Sequence, residues 1–269
     1  MKRVLLLILV VLMLAGCAAE EPVPETTETT VPATEPVSIY MANSSVEQQT
    51  GGAVKVYVPA HTRYYTTDGT LVPGSTTITG LLNTPALVKW ANNLGLQGID
   101  SSKYVDKAAR VGTLIHALVE AHITKTKPDL SDYTQLEIEL ANNGFYKYLD
   151  WEKQHKVEPI FNEKQFVSEK HRYGGTLDFY CKIDGKYTLV DFKSGKGIFN
   201  EHFLQVSGYA NLLKENKYRV DQILILNIGR NEDEPFQERA IAPATYRKYF
   251  DMFKALIKVY YIKKELEWR

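Results

Sequence analysis

The chain has 269 residues, with 32 Lys+Arg against 32 Asp+Glu and a formal net charge of zero. Such a length holds one ordinary domain with additions, and the overall balance hides an asymmetry along the chain. Two basic and six acidic residues fall in 1–54, which leaves 30 and 26 in 55–269. That mild excess permits a nucleic-acid partner without arguing for one.

Residues 1–17 read as a targeting segment. Lys2 and Arg3 precede the unbroken apolar run Val4–Leu14, which is too short to span a bilayer. Leu14-Ala15-Gly16-Cys17 resembles the lipobox of bacterial lipoproteins, which implies a lipidated Cys17 and a membrane-anchored protein. Residues 18–52, centred on EEPVPETTETTVPATEP, are Thr/Pro/Glu-rich and contain no Lys or Arg. Such a tract buries no core and reads as a disordered linker. Met41 within it is an alternative start, with which the product would be cytoplasmic.

The domain is expected over 53–269. KVYV, RYYTT and TLVP suggest short strands, with Asp68-Gly69 as a turn. Thr84 and Pro85 predict a helix over PALVKWANNLG, closed by Gly95. Ser101 or Ser102, as the cap, starts a second helix predicted over about Lys103–Lys125. A third runs from about Tyr133 to His155, with a break near Asn143-Gly144. A strand follows at Phe161–Ser168. The runs TLDFYCKI and KYTLVDFK flank Asp184-Gly185 and predict a β-hairpin. Then come a helix from about Glu201 to Glu215, a buried strand at Ile223–Ile228, a short strand near Arg239–Ile241 and a long helix from Pro243.

The hairpin organises the chain. If Asp184 and Gly185 form a two-residue turn, Ile183 faces Lys186 and Asp178 falls opposite Asp191. Facing residues have Cβ atoms roughly 4.5–5.5 Å apart on one face, and Lys193 shares that face. Leu177, Phe179, Cys181, Val190 and Phe192 then form a core face. Two facing carboxylates repel, so the pair calls for a positive charge. Lys193 supplies one, and a hard divalent cation would supply more. An exposed face that happens to carry Asp, Asp and Lys is the plain alternative.

Gly112, His116 and Glu120 stand at i, i+4 and i+8 and share a helix face. Glycine there costs about 1 kcal/mol against alanine, which points to a close backbone approach. His122 sits about 140° around the helix from His116, so the two do not chelate together. Gln205 and Tyr209 share a face of the following helix. With Cys17 in the lipobox, Cys181 is left alone, so neither an intrachain disulfide nor a cysteine-ligated cluster is expected. Walker A, HExxH and GxSxG patterns are absent from the sequence.

The succession GTxxHxxxE, GGTLD, DFKSGK and QxxxY resembles the RecB-like, phage-exonuclease branch of the PD-(D/E)XK nuclease superfamily. The likeness spans about Val54–Tyr218. It departs from the pattern in placing Leu177, not proline, before Asp178, and in lacking a cysteine quartet, so no iron–sulfur cluster is implied. It implies an α/β fold with a mixed sheet, an αβββαβ core, extra N-terminal helices and a long C-terminal helix. It further implies a Mg²⁺- or Mn²⁺-dependent exonuclease acting on linear duplex or single-stranded DNA. Asp178 and Asp191 would bind the metal with His116 and the Phe192 carbonyl. Lys193 would position or activate the attacking water. Gln205 and Tyr209 would hold the DNA strand or the lysine, Glu120 would lie behind the ligands, and Glu163 is an extra candidate carboxylate. An endonuclease on the same core and a non-catalytic, membrane-tethered binding module remain alternatives; only the leader and the linker after it favour the second.

Overall fold

The computed structural model describes residues 62–82 and 85–268. The expected leader, linker and first strand KVYV, together with the Thr84 cap, lie outside these. The remaining residues form β1 (Tyr64–Tyr65), β2 (Leu71–Val72), α1 (Ser75–Thr79), α2 (Pro85–Leu96), α3 (Ser101–Thr124) and α4 (Gln135–Glu152). They continue as β3 (Val157–Ser168), β4 (Tyr173–Ile183), β5 (Lys186–Lys193), α5 (Asn200–Glu215), β6 (Gln222–Asn227), β7 (Gln237–Ile241) and α6 (Pro243–Glu265). From α4 to β6 the order is the expected α-β-β-β-α-β.

Five strands form one sheet in the order β3-β4-β5-β6-β7. Only β5 and β6 run parallel; the other neighbours are antiparallel. The fold is thus α/β with a mixed sheet. Helix α5 is the crossover that the parallel pair requires. Both sheet faces are covered, which is why β6 reads as the unbroken run ILILN. Ile223 and Ile225 pack with Val206, Leu213 and Phe253 of α5 and α6. Leu224 and Leu226 pack with Leu114, Ile115 and Phe145 of α3 and α4.

The hairpin adopts the expected register. Asp184 (φ 50°) and Gly185 (φ 83°) both take left-handed conformations, as a type I′ turn needs. Pairing runs from Ile183↔Lys186 to Phe179↔Val190. Asp184 also ties the turn to the start of β3, accepting a hydrogen bond from the Lys156 amide at 2.9 Å.

Several expectations are corrected. The cap of α3 is Asp100, whose carboxylate accepts from the Ser102 and Lys103 amides; a carboxylate reaching two orphan amides outcompetes the serine hydroxyls. Helix α2 runs through Gly95 to Leu96. Helix α4 runs unbroken through Asn143-Gly144, capped by a Thr134/Glu137 box. The glycine serves packing there: a Cβ on Gly144 would sit 2.7 Å from Ile115 Cδ1 of α3. Strand β3 begins at Val157, with a register shift between Pro159 and Phe161. Leu177 does not share the face of Phe179 and Cys181: it packs on the α5/α6 side, they on the α3/α4 side. Alternation therefore breaks at Asp178, and both faces of the hairpin are core.

Candidate active site

The break in alternation makes the site. The β4–β5 ladder stops at Phe179↔Val190, one pair short of Asp178 and Asp191. Beyond it the Phe192 amide donates to Asp178 Oδ2 at 2.8 Å, so a side chain takes the place of a backbone acceptor. From the helix side, His116 Nδ1 lies 3.9 Å from Asp178 Oδ2. His116 can come this near because α3 lies close against the loop after β5 at Gly112. A Cβ on Gly112 would sit 2.4 Å from Ser194 Oγ, the close approach its position in a helix predicts.

Strand β3 adds a third ligand group. Asn162 pairs with Phe179 and Lys164 with Leu177, so Glu163 falls opposite Asp178. Its φ of +44° is left-handed, a conformation that costs a non-glycine residue of order 1–3 kcal/mol. His116, Glu163 and Asp178 each offer one donor atom, all within 4.8 Å of one another. Glu120 stands behind them, its Oε1 accepting from Asn162 Nδ2 at 3.1 Å.

Asp191 is drawn instead to Lys193, whose Nζ lies 2.7 Å from Oδ2. The contact is an ion pair in distance, yet neither Asp191 oxygen receives a well-directed hydrogen bond, although the residue is only 1% exposed. Lys193 Nζ also donates to Gln205 Oε1 at 2.9 Å, and Gln205 Nε2 donates to the Tyr209 hydroxyl at 2.7 Å. A half-buried relay from α5 thus braces the lysine.

Crowding sets the charges. Burial, with Asp178, Glu120 and Asp191 adding negative charge, pushes the Glu163 carboxyl up to about 8; its exposed flank lets solvent temper the effect. Burial also raises Asp178, against the pull of Lys193 and the Phe192 amide. Asp191 is pushed up to about 6 by burial and by Asp178, with Lys193 opposing. Burial and the neighbouring Lys193 lower His116 to about 4, although Asp191 and a hydrogen bond to the Phe192 backbone favour its charged form. The imidazole is therefore neutral and available as a ligand near neutral pH.

The donor set fits a hard divalent cation. Three carboxylates gather near a single lysine, and oxygen ligands with one imidazole suit Mg²⁺ or Mn²⁺. The side chains to which the sequence resemblance gives catalytic, metal-binding or strand-holding roles (His116, Asp178, Asp191, Lys193, Gln205 and Tyr209) converge here. The tight donor cluster, however, contains Glu163 rather than Asp191. His122 points away and pairs with Glu152, Nε2 to Oε2 2.7 Å.

No family model matches the chain. No curated protein matches it either. Among solved structures it is similar to a proposed exonuclease of Eubacterium rectale, at 7% identity and a TM-score of 0.39, over 54% of this chain and 64% of that one. The chain thus spans less than two thirds of that protein. It is also similar to the alkaline exonuclease LHK-Exo of Laribacter hongkongensis, at 12% identity and a TM-score of 0.29, over 60% of this chain and 91% of that one. The same enzyme solved with dAMP aligns at 11% identity and a TM-score of 0.29, over the same shares. Scores and identities this low carry no inference about function.

A cleft of about 740 Å³ opens over His116. Its walls come from α2, α3 and the loop leading into α5, with Trp90, Tyr104 and Phe199 among them. Sequence reading missed it, because these rings lie on three separate segments and none belongs to a motif.

Proposed function

We propose that this chain is a metal-dependent nuclease that hydrolyses DNA phosphodiester bonds, built on a RecB-like PD-(D/E)XK core, and that it acts as an exonuclease. One observation carries the reading: the buried Asp191, with no directed donor on either oxygen, stands beside Lys193 and next to the His116/Glu163/Asp178 cluster. A binding module has no reason to set Asp178, Asp191 and Glu163 around one ammonium, since carboxylates packed together with so little positive charge are costly to keep ionised.

His116, Glu163, Asp178, Asp191 and the Phe192 carbonyl would hold Mg²⁺ or Mn²⁺. When bound, the ion lowers the pKa of water and supplies positive charge at the reacting phosphate. Lys193 has the compact, adaptable ammonium suited to orienting the attacking water and offsetting charge on the phosphoryl oxygens. Gln205 fixes that ammonium, and Tyr209, 5% exposed, fixes Gln205. Buried so, Tyr209 is given the lysine-holding role rather than contact with the DNA strand.

The test uses the full chain with end-labelled linear duplex, single-stranded and closed circular DNA in Mg²⁺, Mn²⁺ or EDTA, beside Asp191→Ala and Lys193→Ala. Metal-dependent loss of linear DNA that spares circles and fails in both variants is expected. Cutting of circles would replace the exonuclease with an endonuclease; no cleavage by folded protein would sink the nuclease reading. Lipidation of Cys17 and a membrane tether are part of the proposal. Fractionation after feeding a labelled lipid precursor tests them, and an unlabelled product in the cytoplasmic fraction would refute them.

A further inference from the structure

The cleft over His116 has a shape and a chemistry that the hydrolytic residues do not explain. Val105, Ala108, Ala109 and Gly112 line it from α3. They stand at i, i+3, i+4 and i+7, one face of the helix, and three of the four are Ala or Gly. The result is a shallow floor where a helix of this length would ordinarily carry bulky apolar side chains. Aromatic rings from three segments border it. Trp90 of α2 meets Tyr104 of α3 edge-on, with centroids 5.7 Å apart. Phe199, just before α5, is 55% exposed, and Tyr104 is 40% exposed. Helix α2 buries none of its residues, so its apolar face is left for an occupant.

The occupant's charge is also specified. Among the described residues the lining holds Lys196 and Arg230 and no carboxylate. Arg230 is anchored by Glu234, whereas Lys196 is exposed. Apolar planar surfaces beside cations match a molecule with flat π-faces and an anionic thread. The floor ends at His116 and Ser194, so a strand lying in the cleft would bring its backbone to the carboxylates. About 740 Å³ is a volume that takes a drug-sized molecule or a few unpaired nucleotides.

We propose that this cleft seats the unpaired bases of a single-stranded DNA end, stacked on Trp90, Tyr104 and Phe199. The inference rests on the nuclease reading and names the form in which that site takes its substrate. Stacking makes it indifferent to base identity, because every base has a π-face.

The test measures binding by the full chain in EDTA, where no turnover occurs. The probes are a fluorescent oligodeoxythymidylate, an abasic strand of equal length and a blunt duplex. The parent should prefer the thymidylate to both others. Trp90→Ala, Phe199→Ala and Tyr104→Leu should each weaken thymidylate binding roughly 5- to 140-fold and leave abasic binding unchanged. All three positions are at least partly exposed, and melting curves with and without Mn²⁺ would verify that fold and metal site persist. Equal binding of thymidylate and abasic strands by the parent, or unchanged affinity in all three variants, would overturn the inference. Unchanged affinity with a dimer lost in Phe199→Ala would assign the cleft to a second copy and overturn it too. Linear-DNA cleavage alongside unchanged variant affinities removes the stacking cleft alone. Base-dependent binding without any cleavage removes the nuclease reading and leaves the cleft.

Discussion

Asp178 accepts its hydrogen bond from the backbone of Phe192, not from the partner carboxylate's neighbour Lys193. The two aspartates of one hairpin are therefore served differently: one by an amide of the opposite strand, the other by an ammonium two residues along its own. Asp191 is the less well satisfied, and Asp191→Asn tests its charge. Removing its charge leaves the largely buried Lys193 without its nearest counter-charge, so the metal-free protein should lose stability, and the rise in Tm with Mn²⁺ should disappear. In the parent, metal at a hundred times its Kd should add about 2.7 kcal/mol. Calorimetry of both proteins with and without Mn²⁺ checks this; a full metal shift in Asp191→Asn would contradict it.

Gly112→Ala should harm the site through space alone. The new methyl would meet Ser194 Oγ at 2.4 Å, an overpacking worth about 1–3 kcal/mol, against about 1 kcal/mol of helix propensity gained. Net destabilisation should be small, because Ser194 can turn its hydroxyl out of the contact while its Cβ stands at an ordinary 3.6 Å, and activity should fall severalfold. Adding Ser194→Gly should recover much of the loss, with a coupling of about 0.5–3 kcal/mol in the double-mutant cycle. Independent, additive effects of the two changes would refute the contact.

The lysine's brace can be removed without touching a ligand. Gln205→Leu should lower kcat roughly 10- to 100-fold, the usual range for groups that orient a catalytic site. The Mn²⁺-induced rise in Tm should survive, since Gln205 faces Lys193 and not the carboxylates. Tyr209→Phe, which strips only the hydroxyl that accepts from Gln205, should cost less than Gln205→Leu. Loss of metal binding in Gln205→Leu would show that the glutamine acts elsewhere.

The carboxylates give the metal-free protein a pH dependence of definite sign. The folded-state value for Glu163 is raised from 4.5 to about 8. Its contribution to stability is fully present below the unfolded value and is lost as pH rises through about 8. His116, lowered from 6.5 to about 4, acts in the opposite sense, but only below pH 6.5. Between pH 6.5 and 8.5 the Glu163 effect stands apart from both His116 and Asp191, while the raised Asp178 carboxyl acts in the same sense as Glu163. Urea unfolding in EDTA should therefore show stability falling across that window, and Glu163→Gln should flatten it. Metal affinity should rise over the same range as the ligands deprotonate. A slope unchanged in Glu163→Gln would remove Glu163 from the charge cluster.

What could be read in the sequence follows from what pinned it. The hairpin register was legible because Asp184-Gly185 fixes the turn and leaves one pairing, and that pairing put Asp178, Asp191 and Lys193 together. The face of α3 carrying Gly112 and His116 was legible because helical spacing is rigid. Glu163 was harder to weigh. Its place opposite Asp178 depends on the β3–β4 register, and residues 169–172 carry no two-residue turn signal to set it, while the shift near Ile160 hides the count from the other end. The change of side at Leu177 was hidden because strict alternation assumes an unbroken pleat, and the ladder is interrupted at Asp178. The cap at Asp100 was missed because two serines follow it, each an acceptable cap by propensity.

The crossover helix has a consequence for how competence is acquired. Asp178 and Asp191 belong to a hairpin whose pairing is local and quick to form. Lys193 sits at that hairpin's end, but its brace, Gln205, arrives only when α5 packs down and β6 aligns parallel to β5. Parallel pairing closes a longer loop and forms late. A chain caught before that step would hold its carboxylates near one another with the lysine unsteadied. On the nuclease reading, cleavage by such a chain would wait on α5, because the ammonium has no fixed place until Gln205 holds it.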